Sequence, residues 1–168
     1  MQIDPLLVIT VVFVIILVGV ILLVGTRMEK RKRKLSVTLP EGWYHVPGAT
    51  PLEYHPGGEG GGVLQISLNP PFKKKITSGE EAEKKLVELN DALSVREDLG
   101  ERIALGHEIA ESGIMATATY QGVNQQLMQF WLIPADITII GTYITDKGDK
   151  AKEELAQAAE IMRTVEFR

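Results

Sequence analysis

Cysteine is absent from the 168 residues. That absence removes disulfide cross-links, thiolate zinc sites, a cysteine nucleophile and lipid attachment at a cysteine. Histidine is scarce as well: His45, His55 and His107 lie far apart in the chain and fall in no His-Glu-x-x-His or comparable ligand spacing, so they spell no metal site. Gln2 stands where N-myristoylation needs a glycine. No basic residue precedes the first apolar stretch and no small-residue cleavage site follows it, the reverse of a secretory signal peptide. No cofactor is expected from this inventory.

What the chain has in excess is one apolar run. It begins at Leu6 and ends at Val24 (LLVITVVFVIILVGVILLV), without a charge and with only Thr10 and Gly19 between large apolar side chains. As a helix it covers roughly 28 Å at 1.5 Å per residue, close to the thickness of a bilayer's hydrocarbon core. The expected organisation is a short tail over residues 1–5, a transmembrane helix over 6–26, a basic linker over 27–34 and one soluble domain over 35–168.

The linker carries Arg27, Lys30, Arg31, Lys32, Arg33 and Lys34, whereas the tail carries Asp4 and no Lys or Arg. Positive charge stays inside, so the N-terminus is expected outside and the domain in the cytoplasm. The inverted topology, with an extracytoplasmic, envelope-associated ligand-binding domain, is the alternative. These six residues are expected at the membrane surface as a stop-transfer signal, and the same charges attract anionic lipid. Nucleic acid is not an expected partner: the basic cluster is confined to the tether, and residues 35–168 hold 12 Lys and Arg against 20 Asp and Glu, a net charge of −8 that repels phosphate-rich surfaces.

Within the soluble part, alternation of apolar and polar residues predicts strands over 35–39, 52–55 and 63–68, read as an antiparallel meander. Asn69-Pro70-Pro71 stops the third. Ser78 stands three residues before Glu81 in capping-box spacing, and Ala82, Leu86, Leu89 and Leu93 form one stripe of the helix that follows. Pairs Glu80 with Lys84 and Glu81 with Lys85 are expected on its wet side. Four strands follow, over 102–110, 114–121, 125–133 and 137–145, joined as hairpins. A second helix starts near Asp149, with Ala151, Leu155, Ala158, Ala159 and Met162 as its stripe, and residues 164–167 return as a short strand. Strand runs separated by single helices predict an α+β fold: a mostly antiparallel β-sheet with two packing helices.

A first strand running into Leu39-Pro40-Glu41-Gly42-Trp43, a glycine-rich hairpin, one helix, a meander bearing Phe130-Trp131 and Gly141-Thr142-Tyr143, and a closing Met162-Arg163-Thr164-Val165-Glu166-Phe167 together resemble the PsbP-like superfamily. That superfamily includes bacterial DcrB-like proteins and a Ran-binding nuclear import factor. The resemblance covers nearly all of residues 35–168. It implies an α/β/α sandwich that works as a binding or assembly module with no shared catalytic site. The chain differs in its transmembrane helix, where many bacterial relatives are secreted or lipid-anchored.

Chemistry-bearing candidates are few. The glycine-rich stretch 57–62 opens a strand where a P-loop opens a helix, and no Lys-Ser or Lys-Thr follows it, so a flexible hairpin is expected. His45 and His55 meet if their strands pair. His107 shares a face with Ile103, Leu105 and Ile109 and reads as a hydrogen-bonded histidine at the core edge. Glu108 and Glu111 point to opposite faces and cannot act as a carboxylate pair. Lys73-Lys74-Lys75 after Phe72 reads as a solvated loop before a helix. Trp43 and Tyr44 are the candidate contacts for an unknown protein partner, with packing over the sheet as the alternative role for Trp43. The expectation is a membrane-anchored, non-catalytic binding or assembly module; the competing one is an enzyme whose site is built from His45, His55 and Glu108.

Overall fold

The computed structural model describes residues 35–57, 61–93, 99–122, 126–145 and 150–167. Residues 35–168 form a compact unit of their own. The expected tail, transmembrane helix and basic linker lie outside the described residues, and no helix among the described residues is long and apolar enough to cross a membrane.

Helix α1 (Gly79–Leu93) starts where the cap predicts. Ser78 Oγ accepts from the Glu81 backbone N–H at 3.2 Å. The return arm of the capping box is displaced by one residue: the Glu81 carboxylate accepts from the Thr77 N–H at 3.0 Å and from the Lys74 ammonium at 3.1 Å. The expected i,i+4 ion pairs give way accordingly, with Glu81 held by Lys74 and Lys85 turned to Glu88 at 2.9 Å. Ala82 and Leu86 of the predicted stripe are buried, and Leu89 packs beside them.

Seven strands form one antiparallel sheet: β2 (Tyr44–Val46), β3 (Leu52–His55), β4 (Val63–Asn69), β5 (Glu101–Ala110), β6 (Gly113–Gln121), β7 (Leu127–Pro134) and β8 (Thr138–Thr145), in the order β2-β3-β4-β8-β7-β6-β5. The last four agree with the predicted strands to within two residues at each end. Of the predicted N-terminal meander, β3 and β4 pair antiparallel as expected, but the first strand does not join them. β1 (Leu35–Ser36) pairs not with β3 but with β9 (Glu166–Phe167), in a separate two-stranded ribbon, Leu35 opposite Phe167. Its place at the sheet edge is taken by β2, which pairs with β3 so that Tyr44 lies opposite His55 and His45 opposite Tyr54.

Both faces of the sheet are packed. On β7, Met128, Phe130 and Leu132 join Ala82 and Leu86 of α1, whereas Trp131 and Ile133, one residue out of phase, join the residues of helix α2 (Ala151–Arg163). Strand side chains alternate, so the two helices cover opposite faces. The architecture is the expected α/β/α sandwich. Of the predicted α2 stripe, Ala151, Ala158, Ala159 and Met162 are buried, with Ile161 added and Leu155 half-buried. Helix α1 packs mainly on β5, β6 and β7. On that face no helix among the described residues lies over β2, β3, β4 and most of β8.

Candidate functional site

The uncovered half of the sheet presents a strip built by strand register. Tyr44 pairs with His55, Glu53 with Gln65 and Gln65 with Thr142, so all five share this face, while the residues next to them along the strands, Tyr54, Leu64 and Ile66, point into the core on the other. Tyr44 is 53% exposed and its ring stacks on His55, with centroids 5.6 Å apart and planes 15° from parallel. His55 Nε2 lies 3.8 Å from Glu53 Oε2, and Gln65 Nε2 donates to Glu53 Oε1 at 2.9 Å. Beside the strip lies an open cleft of about 360 Å³, floored by Gln65 and Thr142 and walled by Glu53 and Ile144. An aromatic face, a carboxylate acceptor and an amide set side by side recognise a partner's apolar and polar groups together. Glu53 and His55 at i and i+2 of a short strand were the sequence signal for this strip; Gln65 joins through a pairing that local spacing does not reveal.

Of the two predicted contact residues, only Tyr44 belongs to this surface. Trp43, one residue earlier, faces the core at 7% exposure, donates through Nε1 to Gln157 Oε1 at 2.8 Å and tilts against the Tyr143 ring, centroids 5.9 Å apart. It is the plug over the sheet, not a surface anchor. The linker residues Arg27 to Lys34 lie outside the described residues.

The scattered catalytic candidates are not brought together. His45 and His55 do not meet, because each stands opposite a tyrosine in adjacent register and they point to opposite faces; the His45 ring lies against Tyr54 at 5.1 Å. Glu108 is on β5, at the far edge of the sheet from β2, where both its oxygens accept from Arg163 Nε at 3.0 and 3.1 Å. Glu111 is tied by its backbone N–H to the Arg163 carbonyl. His107 is hydrogen-bonded as expected, Nδ1 to Glu83 Oε1 at 2.6 Å, and its ring covers Gly79, where a Cβ would come within 2.0 Å. The face it shares is wetter than expected: α1 touches this edge strand at His107, through Gly79 and Glu83, yet Ile103, Leu105 and Ile109 remain 52%, 40% and 76% exposed. A register shift between Arg102 and Ala104 adds to this by leaving Ile103 out of the ladder. Among the described residues no three His, Asp or Glu side chains are grouped to hold a metal ion.

The glycine-rich hairpin has a structural task. The Gly62 N–H points at the Tyr143 hydroxyl (3.1 Å) and the Glu154 carboxylate (3.3 Å), an arrangement that repels phosphate. The same Glu154 oxygen accepts from Tyr143 Oη and Thr145 Oγ1, each at 2.9 Å. Burial first, then the hydrogen bond to Glu154 and its negative charge, push the Tyr143 phenol well above its ordinary value. A Cβ at position 62 would lie 2.3 Å from the Ile144 carbonyl oxygen, so only glycine lets the strand start here.

No protein-family model and no curated protein matches the chain. Among solved structures it is similar to cyanobacterial PsbP (CyanoP) from Synechocystis sp. PCC 6803, at 13% identity over 81% of this chain and 94% of that one, TM-score 0.47. It is also similar to a protein of Bacteroides thetaiotaomicron VPI-5482, at 17% identity over 80% of this chain and 45% of that one, TM-score 0.43. LpqN of Mycobacterium tuberculosis, a protein involved in cell envelope biogenesis, is similar at 10% identity over 81% of this chain and 84% of that one, TM-score 0.49. The first bears the family name that the sequence motifs resemble. At these identities no functional residue carries over from any of them.

Proposed function

We propose that the chain is a membrane-anchored, non-catalytic binding or assembly module whose domain lies on the cytoplasmic side and takes a protein partner on the uncovered face of its sheet. The observation that carries this reading is the strip Tyr44, His55, Glu53 and Gln65 beside the open cleft. The anchor rests on the apolar run of residues 6–24, and the orientation on the basic residues that follow it. The separation of His45, His55 and Glu108 favours binding over the enzyme built from them.

A photo-crosslinking residue at position 44, with a second at exposed position 152 on α2 as reference, tests the binding surface in intact membranes. A discrete adduct at 44 and none at 152 is the expected result; no adduct at 44 in any fraction refutes it. Reporters of cytoplasmic and external location fused after Arg168 test the orientation, and an external signal overturns it. Turnover of a metabolite by the purified chain, lost on alanine replacement of His55 without loss of stability, would replace the binding reading with an enzymatic one.

A further inference from the structure

The charge of the domain is unevenly placed. The loop after β4 and the outer side of α1 enclose an open cleft of about 490 Å³ lined by Lys73, Lys74, Lys75, Lys84 and Lys85 together with Glu81 and Glu88. Two of these lysines are spoken for, Lys74 by Glu81 at 3.1 Å and Lys85 by Glu88 at 2.9 Å. Both carboxyls are held below the usual carboxylate value, Glu81 mainly by the Thr77 N–H and then Lys74, and Glu88 by Lys85, so both pairs are internally neutral at pH 7. Among the described residues no carboxylate lies within ion-pair distance of Lys73, Lys75 or Lys84. The cleft lining therefore carries five lysines against two glutamates, a net charge of +3, on a domain whose sequence is net −8. Its floor is apolar: Phe72 and Ile76 pack against the α1 cluster, and the Lys85 ammonium stands 5.4 Å from the Phe72 ring centroid.

We propose that this cleft is the docking surface for the anionic phospholipid headgroups of the leaflet beside which the domain is held. The inference rests on the membrane-anchored reading above. Charge complementarity selects both the occupant and the orientation. An acidic domain is repelled by an anionic leaflet in every orientation except one that presents a positive face, and this cleft is such a face. Lysines are compact point charges that accept phosphates without a fixed geometry, as a fluid headgroup layer requires. The cleft is open, which suits a surface, and its apolar floor lies within reach of glycerol and upper acyl carbons. A tether at the bilayer supplies high effective concentration, so three charges suffice where a freely diffusing domain would need more.

The test uses the full chain in nanodiscs of neutral phosphatidylcholine and in discs with about one-third phosphatidylglycerol, read by amine-reactive labelling and mass spectrometry; labelling of Lys73, Lys75 and Lys84 is expected to slow about threefold or more in the anionic discs. Lys152, exposed on α2, should label equally in both. Protection should vanish in about 1 M salt, where the Debye length is about 3 Å. In the Lys73→Glu/Lys75→Glu double variant it should vanish at Lys84, while the Lys152→Glu variant should keep it. Equal labelling in the two discs overturns the proposal, as does equal protection of Lys152. Protection by soluble glycerol phosphate in neutral discs, as strong as that by anionic lipid, also overturns it and assigns the cleft to a soluble anion. Incorporation into neutral discs reads the anchor separately: if the chain fails to incorporate, the anchor is refuted, and the same labelling on free vesicles of the two compositions decides the docking.

Discussion

Glu154 is the residue whose removal says most about this domain. One carboxylate oxygen holds the Tyr143 hydroxyl, the Thr145 hydroxyl and the Gly62 N–H, tying α2, β8 and the start of β4 together. Each hydrogen bond to a charged acceptor is worth about 1.5–3 kcal/mol, but three donors sharing one oxygen do not add. Glu154→Ala leaves the hydroxyl of a completely buried tyrosine without its acceptor, so a loss of about 3 kcal/mol is expected, and roughly half that for Glu154→Gln, which keeps one acceptor oxygen. In thermal unfolding followed by circular dichroism this is a fall in Tm of roughly 10 °C for a domain of this size. A double-mutant cycle with Tyr143→Phe should show coupling of about 1–2 kcal/mol. The alkaline limb has a defined sign. The folded state raises the Tyr143 phenol above its unfolded value of 10.0, so its contribution is complete below that pH and is lost as pH rises above it. Between pH 9 and pH 11 the parent should therefore lose more stability than Tyr143→Phe, which has no phenol there to titrate. If Glu154→Ala unfolds within about 0.5 kcal/mol of the parent, and the cycle is additive, the network contributes nothing and this reasoning fails.

Three further outcomes are expected. Leu86→Ala, emptying a completely buried position under α1, should destabilise by about 2–5 kcal/mol in urea unfolding. Arg163→Met should cost less than about 1 kcal/mol, and less still in high salt, because Arg163 and Glu108 are 41% and 40% exposed. Tyr44→Ala should leave the unfolding midpoint within about 0.5 kcal/mol of the parent yet abolish co-purification, without crosslinker, of the partner that position 44 captures.

The sequence was most legible where the pattern is local. The Ala82 and Leu86 stripe, the Ser78 cap and the alternation through β6 each follow from spacing within one element, and together they predict the two helices, the long antiparallel meander and the sandwich. What escaped was set by pairing across distance. β1 alternates well enough to read as a sheet strand, yet its partner lies 130 residues away in β9, and no local pattern distinguishes the two pairings. β2 is three residues between turns, with no apolar alternation because it sits at a wet edge. The histidine pair failed for the same reason: His45 and His55 are on paired strands, but a register one residue away from the hopeful one sends them to opposite faces. The candidate strip depends on where α1 stops, which the helix's own residues do not encode.

The β1–β9 ribbon determines how a pull on the chain before residue 35 reaches the domain. Such a load enters at Leu35 and Ser36, crosses to Phe167 and Glu166, and is shared by the Thr38 N–H, which donates to Thr164 Oγ1 at 3.1 Å. From there it runs into the C-terminal turn of α2 and the buried Val165, and it reaches the seven-stranded sheet by two routes, the Glu111 N–H on the Arg163 carbonyl and the chain itself, which continues from β1 into β2. Two residue pairs and one side-chain bond thus act as a weak link, which yields before β2 is loaded. Tension on the chain would strip β1 first, and the buried Trp43, bonded through Nε1 to Gln157, then stands between the load and Tyr44 on β2.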